Sequence, residues 1–173
     1  LERLGGEAVG AAVWEALRAD PLSEGYNLYG PTEYTINALG AGTDDSPVPV
    51  VGGPIENTRA WVLDSALCPV TDGAPGELYL SGDGLAHGYV GRAALTASRF
   101  VANPYGQPGS LMYRTGDIVS LDASGQLLFH GRSDSQVKIR GYRIEPGEVQ
   151  AVIEADPRVG SAAVLARRMP QGN

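Results

Sequence analysis

The segment Asn27-Leu28-Tyr29-Gly30-Pro31-Thr32-Glu33 sets a hydroxyl and a carboxylate directly behind a Gly-Pro turn. Gly30 lets backbone approach a phosphate closely. Thr32 can donate to a phosphate oxygen, and Glu33 offers the oxygen donor that a hard cation such as Mg²⁺ prefers. Tyr29 supplies a flat face for a purine. An ordinary β-turn with a capping threonine has the same composition. A second group, Tyr113-Arg114-Thr115-Gly116-Asp117, ends on an aspartate. At a strand end such an acid can accept from both hydroxyls of a ribose, as the acid of dinucleotide folds does; a plain turn aspartate fits as well. The third group runs from Gly131 to Glu148 and carries Arg132, Asp134, Lys138, Arg140 and Arg143. Lys138 and Arg140 share one side of an expected strand, which also suits a solvated basic edge that deters aggregation.

The elements that must position these groups follow from periodicity. Val9, Val13 and Leu17 with Ala12 and Ala16 predict an amphipathic helix over 8–19, stopped by Asp20-Pro21. Residues 26–39 predict a strand, a tight loop at Gly30-Pro31 and a second short element, and 40–57 read as loop. From Thr58 to His130 the texture is β. Thr58–Leu63 and Glu77–Ser81 are strands about a turn at 71–76, and Ile118–Leu121 and Gln126–His130 flank the hairpin signal Asp122-Ala123-Ser124-Gly125. A helical stretch, Ala93 to Phe100, interrupts them. Gln136–Arg140 alternates as an exposed strand does, Pro146 suits a first helical position, and Val149, Val152 and Ile153 form a helix stripe ended by Asp156-Pro157. Val159–Ala166 reads as a final strand, so a β-α-β unit and a domain boundary are expected at about residue 134.

The chain has 173 residues, 43% hydrophobic and 19% charged, which suits a globular domain or a piece of one. Its 24 glycines and 12 prolines demand frequent turns and argue against a helical bundle. A net charge of −7 opposes gross attraction to nucleic acid or to an anionic membrane. No apolar run approaches the roughly 20 residues of a membrane helix. The single cysteine, Cys68, forms no internal disulfide, and a cytoplasmic setting is expected. The chain opens at Leu1 within what reads as an element already under way and closes at Asn173 in a loop, so both ends read as cuts.

Taken in order, Gly5-Gly6-Glu7, NLYGPTE, GELYLSGDGLAHGYVGR, YRTGD and GRSDSQVKIRGYRIEPGE resemble the adenylate-forming superfamily, specifically the adenylation domains of nonribosomal peptide synthetases. ALTASRFVANPYG, residues 94–106, and QVKIRGYRIE resemble that branch more than the acyl-CoA ligases. The resemblance implies an α/β (mixed α+β) fold. Residues 1–133 would be the C-terminal part of the large subdomain, with a distorted β-barrel region at about 47–132, and 134–173 the start of the mobile small subdomain. It implies ATP, Mg²⁺ and an amino acid as ligands, and a peptidyl carrier protein, whose phosphopantetheine thiol takes the acyl group, as partner. A small MbtH-type partner is implied near Ala93-Ala94-Leu95.

Residue by residue, Tyr29 resembles the residue stacked on adenine, Asn27 one near the adenine edge, Thr32 the phosphate contact and Glu33 the metal ligand. Asp117 looks like the ribose acceptor with Arg132 beside it, and Phe129 like an aromatic near the base. Asp134 resembles the hinge and Gly141 part of the pantetheine tunnel. Gly5, Leu28, Ile36 and Asn37 match pocket positions; two aliphatic walls and one amide suggest a long side chain with a polar tip, an ornithine-type residue of a siderophore pathway. His87 stands where arginine is usual, and Pro146 where leucine is commoner. The family's phosphate loop, the aspartate for the substrate ammonium and the late catalytic lysine find no match here, and Lys138 is not that lysine. A non-catalytic segment that binds nucleotide or a partner, or an aryl- or acyl-CoA ligase, remains the alternative reading.

Overall fold

The computed structural model describes residues 2–139 and 141–167. The chain divides into two compact units, Leu1–Ser133 and Asp134–Asn173.

In the first unit, β1 (Glu2–Gly5) precedes α1 (Ala11–Ala19), a nine-residue helix one turn shorter than the periodicity predicts, starting after Gly10. The helix buries Trp14 completely, and the indole N–H donates to the Ser46 carbonyl at 3.0 Å. Ala41 and Val50 complete that small apolar cluster. β2 (Gly25–Tyr29) lies parallel to β1 and antiparallel to β3 (Leu39–Gly42), which pairs with the short β4 (Gly53–Pro54). The stretch read as loop at 40–57 therefore contains most of a strand. Leu-Gly-Ala-Gly offers no alternation from which a strand could be read, and the pairing with β2 decides its conformation.

The second sheet of this unit has β5 (Thr58–Leu63), β6 (Gly76–Gly82), β7 (Phe100–Ala102), β8 (Leu111–Leu121) and β9 (Leu127–Arg132), in the order β5-β6-β8-β7 with β9 also on β8. β8 pairs with three strands because it is long and its register shifts along β6 and β9. The helix α2 (Ala93–Arg99) leads into β7. A bridge between Gly52 and Leu127 ties the two sheets, and Leu39, Val51, Leu78, Leu80, Val119 and Leu127 form their shared core.

In the second unit β10 (Val137–Ile139) and β11 (Tyr142–Ile144) form an antiparallel hairpin, followed by α3 (Pro146–Glu154) with its proline in the first turn. Gln136 is buried and its side-chain amide donates to Glu145. Val159–Ala166 is not a strand. An apolar run becomes one only beside a partner, and none pairs with it among the described residues, so the order is β-β-α and not the expected β-α-β. Arg140 and the closing loop lie outside the described residues.

Because Trp14 is the only fully buried side chain of α1, Trp14→Ala should lower the unfolding free energy by roughly 3–5 kcal/mol. The check is a fall in the urea midpoint at unchanged m-value.

Candidate active site

Tyr29, Asp117 and Arg132, far apart in sequence, meet in the first unit. Asp117 is 7% exposed and stands opposite Arg132 in the β8–β9 ladder. Its Oδ1 accepts from Arg132 Nη1 at 2.5 Å and its Oδ2 accepts from the Tyr29 hydroxyl. Arg132 Nη2 also donates to the Thr115 carbonyl at 3.0 Å, and the Asp117 amide donates to Thr115 Oγ1 at 3.0 Å. Burial, and then the negative Asp117, hold the Tyr29 phenol well above its usual pKa, so it remains a donor. Asp117 lies inside the long β8 and not at its end as the sequence suggested; the turn-like Gly116, with φ +80°, falls within the strand.

Glu33 sits in a single 3₁₀ turn, Thr32–Tyr34, within a loop closed by the Ala38 amide donating to the Tyr29 carbonyl at 2.8 Å. Glycine is required at position 30 because a Cβ would lie 2.0 Å from the Ile36 carbonyl oxygen. Tyr34, fully buried, donates to the Ser81 carbonyl at 2.9 Å and pins this turn onto the second sheet. Thr32 is exposed, whereas Glu33 is 7% exposed and accepts from the Tyr89 hydroxyl. Thr35 (φ +54°) and Ile36 (φ +74°) are both left-handed. The Thr35 hydroxyl donates to the Gly84 carbonyl at 2.6 Å, and the Asn37 amide donates to the Thr35 carbonyl at 2.9 Å, so Ile36 is the centre of a strained γ-turn. Its side chain is 68% exposed, and Asn37 is exposed beside it.

The pocket positions Gly5 and Leu28 are neighbours in the β1–β2 ladder, and the row continues across the sheet to Gly40 and Gly53. Leu28 is thus the one side chain in a row of glycines, Gly5, Gly40 and Gly53. Asn27 points to the opposite face, buried, and its amide donates to the Val50 carbonyl at 2.6 Å. The structure therefore separates Asn27 from Leu28 across the sheet. Phe129 stands on β9 with 39% of its surface exposed. Asp134 opens the second unit and accepts from the Gln136 amide at 3.3 Å, while Gly141 (φ +78°) lies in the β10–β11 turn.

Sequence reasoning passed over three residues: Tyr34, Tyr89 and Gly40. Tyr89 lies within GELYLSGDGLAHGYVGR, where a phenol in a loop of glycines and polar residues was the available signal. For Gly40 no local signal exists, since only strand register places it beside Leu28.

Among the described residues, no group of three or more His, Cys, Asp or Glu forms a metal cage. One buried carboxylate beside a threonine hydroxyl fits Mg²⁺, which is typically held by one or two carboxylates together with substrate phosphates and water. No helix among the described residues is long and apolar enough to cross a membrane.

A family model described as AMP-binding enzyme matches residues 1–90, just over half of the chain. The chain belongs to the AMP-binding enzyme family. This AMP-binding chain is 48% identical over 172 residues to the dimodular nonribosomal peptide synthase of Bacillus subtilis (strain 168), covering 98% of the chain and 7% of the relative. It is 47% identical over 163 residues to vanchrobactin synthetase VabF of Vibrio anguillarum, covering 94% of the chain and 6% of that protein. Its fold matches holo-PA1221, an NRPS protein containing adenylation and PCP domains bound to a vinylsulfonamide inhibitor, with a TM-score of 0.84 at 34% identity, over 96% of this chain and 30% of that one. The mixed α/β architecture with its curled second sheet is that of adenylate-forming enzymes. The AMP-binding chain spans less than a tenth of these two synthetases and about a third of the solved chain.

Within the site, the ion pair and the phenol should contribute unequally. Arg132→Met strands the Asp117 carboxylate and should cost roughly 3–5 kcal/mol, against about 1–2 kcal/mol for Tyr29→Phe. Urea unfolding of the two variants beside the parent checks the order.

Proposed function

We propose that the chain is part of an amino-acid-activating ligase of nonribosomal peptide synthesis. ATP and an amino acid give aminoacyl-AMP and pyrophosphate, and the acyl group then passes to the phosphopantetheine thiol of a peptidyl carrier protein. The observation that carries the reading is the meeting of Tyr29, Asp117 and Arg132 beside the pinned turn of Thr32 and Glu33, in a chain similar to nonribosomal peptide synthetases over nearly its whole length. Asp117 accepts from the ribose hydroxyls with Arg132 keeping it ionised and oriented, and Tyr29 lies against the base with Phe129 near it. Thr32 donates to a phosphate oxygen, and Glu33 would hold Mg²⁺, which supplies charge stabilisation at the phosphates. Residues 1–133 act as part of the nucleotide- and substrate-binding subdomain, and 134–173 as the start of the mobile one, with Asp134 at the hinge and Gly141 near the thiol. The exposed Ala93, Ala94 and Leu95 of α2 are the surface for a small MbtH-type partner.

The row of glycines around Leu28 supports a long, unbranched substrate side chain, and the exposed Asn37 amide a polar tip, as in ornithine-type amino acids of a siderophore pathway.

The decisive experiment is amino-acid-dependent ATP–pyrophosphate exchange by the full-length protein. Asp117→Ala should raise the KM for ATP roughly ten- to hundredfold while the amino-acid KM stays within about twofold. An unmoved ATP KM contradicts the ribose role. Across an amino-acid panel, ornithine derivatives should exceed leucine and phenylalanine; the reverse order removes the Asn37 argument.

A further inference from the structure

Glu33 does not stand alone. Its Oε1 accepts from the hydroxyl of Tyr89, which arrives from the loop between β6 and α2. The phenol has one O–H to give and an ionised carboxylate only accepts, so Tyr89 orients Glu33 as a donor. A carboxylate has about four lone-pair sites, so accepting from a phenol does not by itself stop it from ligating a cation.

Tyr89 is itself held from two sides. Its ring meets Phe100 edge-on at 5.7 Å and 75°, and the Tyr113 hydroxyl is a further partner of the phenol. Its backbone N–H donates to Thr96 Oγ1 at 2.9 Å, and the same hydroxyl lies 3.4 Å from the Tyr89 carbonyl. Thr96 also fills the space over Gly88, where a Cβ would come within 2.4 Å of its methyl group. The ring packing needs only a phenylalanine; the hydroxyl serves Glu33 and Tyr113.

We propose that Tyr89 is the positioning residue that sets the Glu33 carboxylate for its divalent cation, and that Thr96 on α2 sets Tyr89. The proposal rests on the reading of Glu33 as a metal ligand.

The test uses the full-length protein with α,β-methylene-ATP bound and Mn²⁺ as the probe, followed by electron paramagnetic resonance. Tyr89→Phe should weaken Mn²⁺ binding about tenfold, and Thr96→Val roughly threefold, while Thr96→Ser keeps wild-type affinity. Affinity for α,β-methylene-ATP without divalent cation should stay within about twofold in each, which a merely structural defect would not respect. Glu33→Gln separates the two levels. If it weakens Mn²⁺ and Tyr89→Phe does not, the positioning role is overturned and the metal reading stands. If Glu33→Gln leaves Mn²⁺ binding unchanged, both fall. Should Tyr89→Phe fail to fold, Thr96→Val decides, and wild-type Mn²⁺ affinity in that variant overturns the proposal.

Discussion

The buried phenol of Tyr34 is the constraint on which the site depends. It is fully buried, donates to the Ser81 carbonyl and lies 3.2 Å from Thr58 Oγ1, so one side chain from the first sheet's loop is fixed to two strands of the second. Without such an anchor a nine-residue loop between β2 and β3 would sample many conformations at a cost of about 1–2 kcal/mol per residue to order. With it, Glu33 on one side of Tyr34 and Thr35-Ile36 on the other are fixed together.

The two buried carboxylates share a design. Asp117 accepts from Tyr29 and Glu33 accepts from Tyr89, each a phenol whose burial keeps its proton in place. A neutral donor orients a carboxylate without cancelling its charge. Asp117 also pairs with Arg132 across the β8–β9 ladder, and that pair is nearly buried on both sides. In a chain of net charge −7, these pairings make the acids specific instead of merely numerous.

Much of this was legible in the sequence where local chemistry decides. Thr58–Leu63 is β5 to the residue, the Asp122–Gly125 turn joins β8 to β9, and Pro146 opens α3. The order of motifs set Arg132 beside Asp117, and the two pair across the β8–β9 ladder. What escaped was decided at long range. β3 is half glycine and becomes a strand only through β2, and Val159–Ala166 is apolar but pairs with no strand among the described residues. Asn27 faces away from Leu28 because adjacent strand residues alternate, and the Val50 carbonyl then claims its amide. Tyr89 reaches Glu33 across 56 positions, a separation no motif spacing encodes.

The left-handed Ile36 carries a consequence for how such a chain diversifies. A β-branched residue at φ +74° holds its place against a backbone preference that asparagine or glycine scarcely feels, a difference of roughly 1–2 kcal/mol. Every exchange at this position therefore alters two properties at once, the surface the loop presents and the ease with which it folds. Asparagine or glycine at this position would ease folding of the loop, whereas a branched residue draws on stability elsewhere in the unit. A side chain transplanted to position 36 should therefore succeed or fail according to the stability margin of the background that receives it.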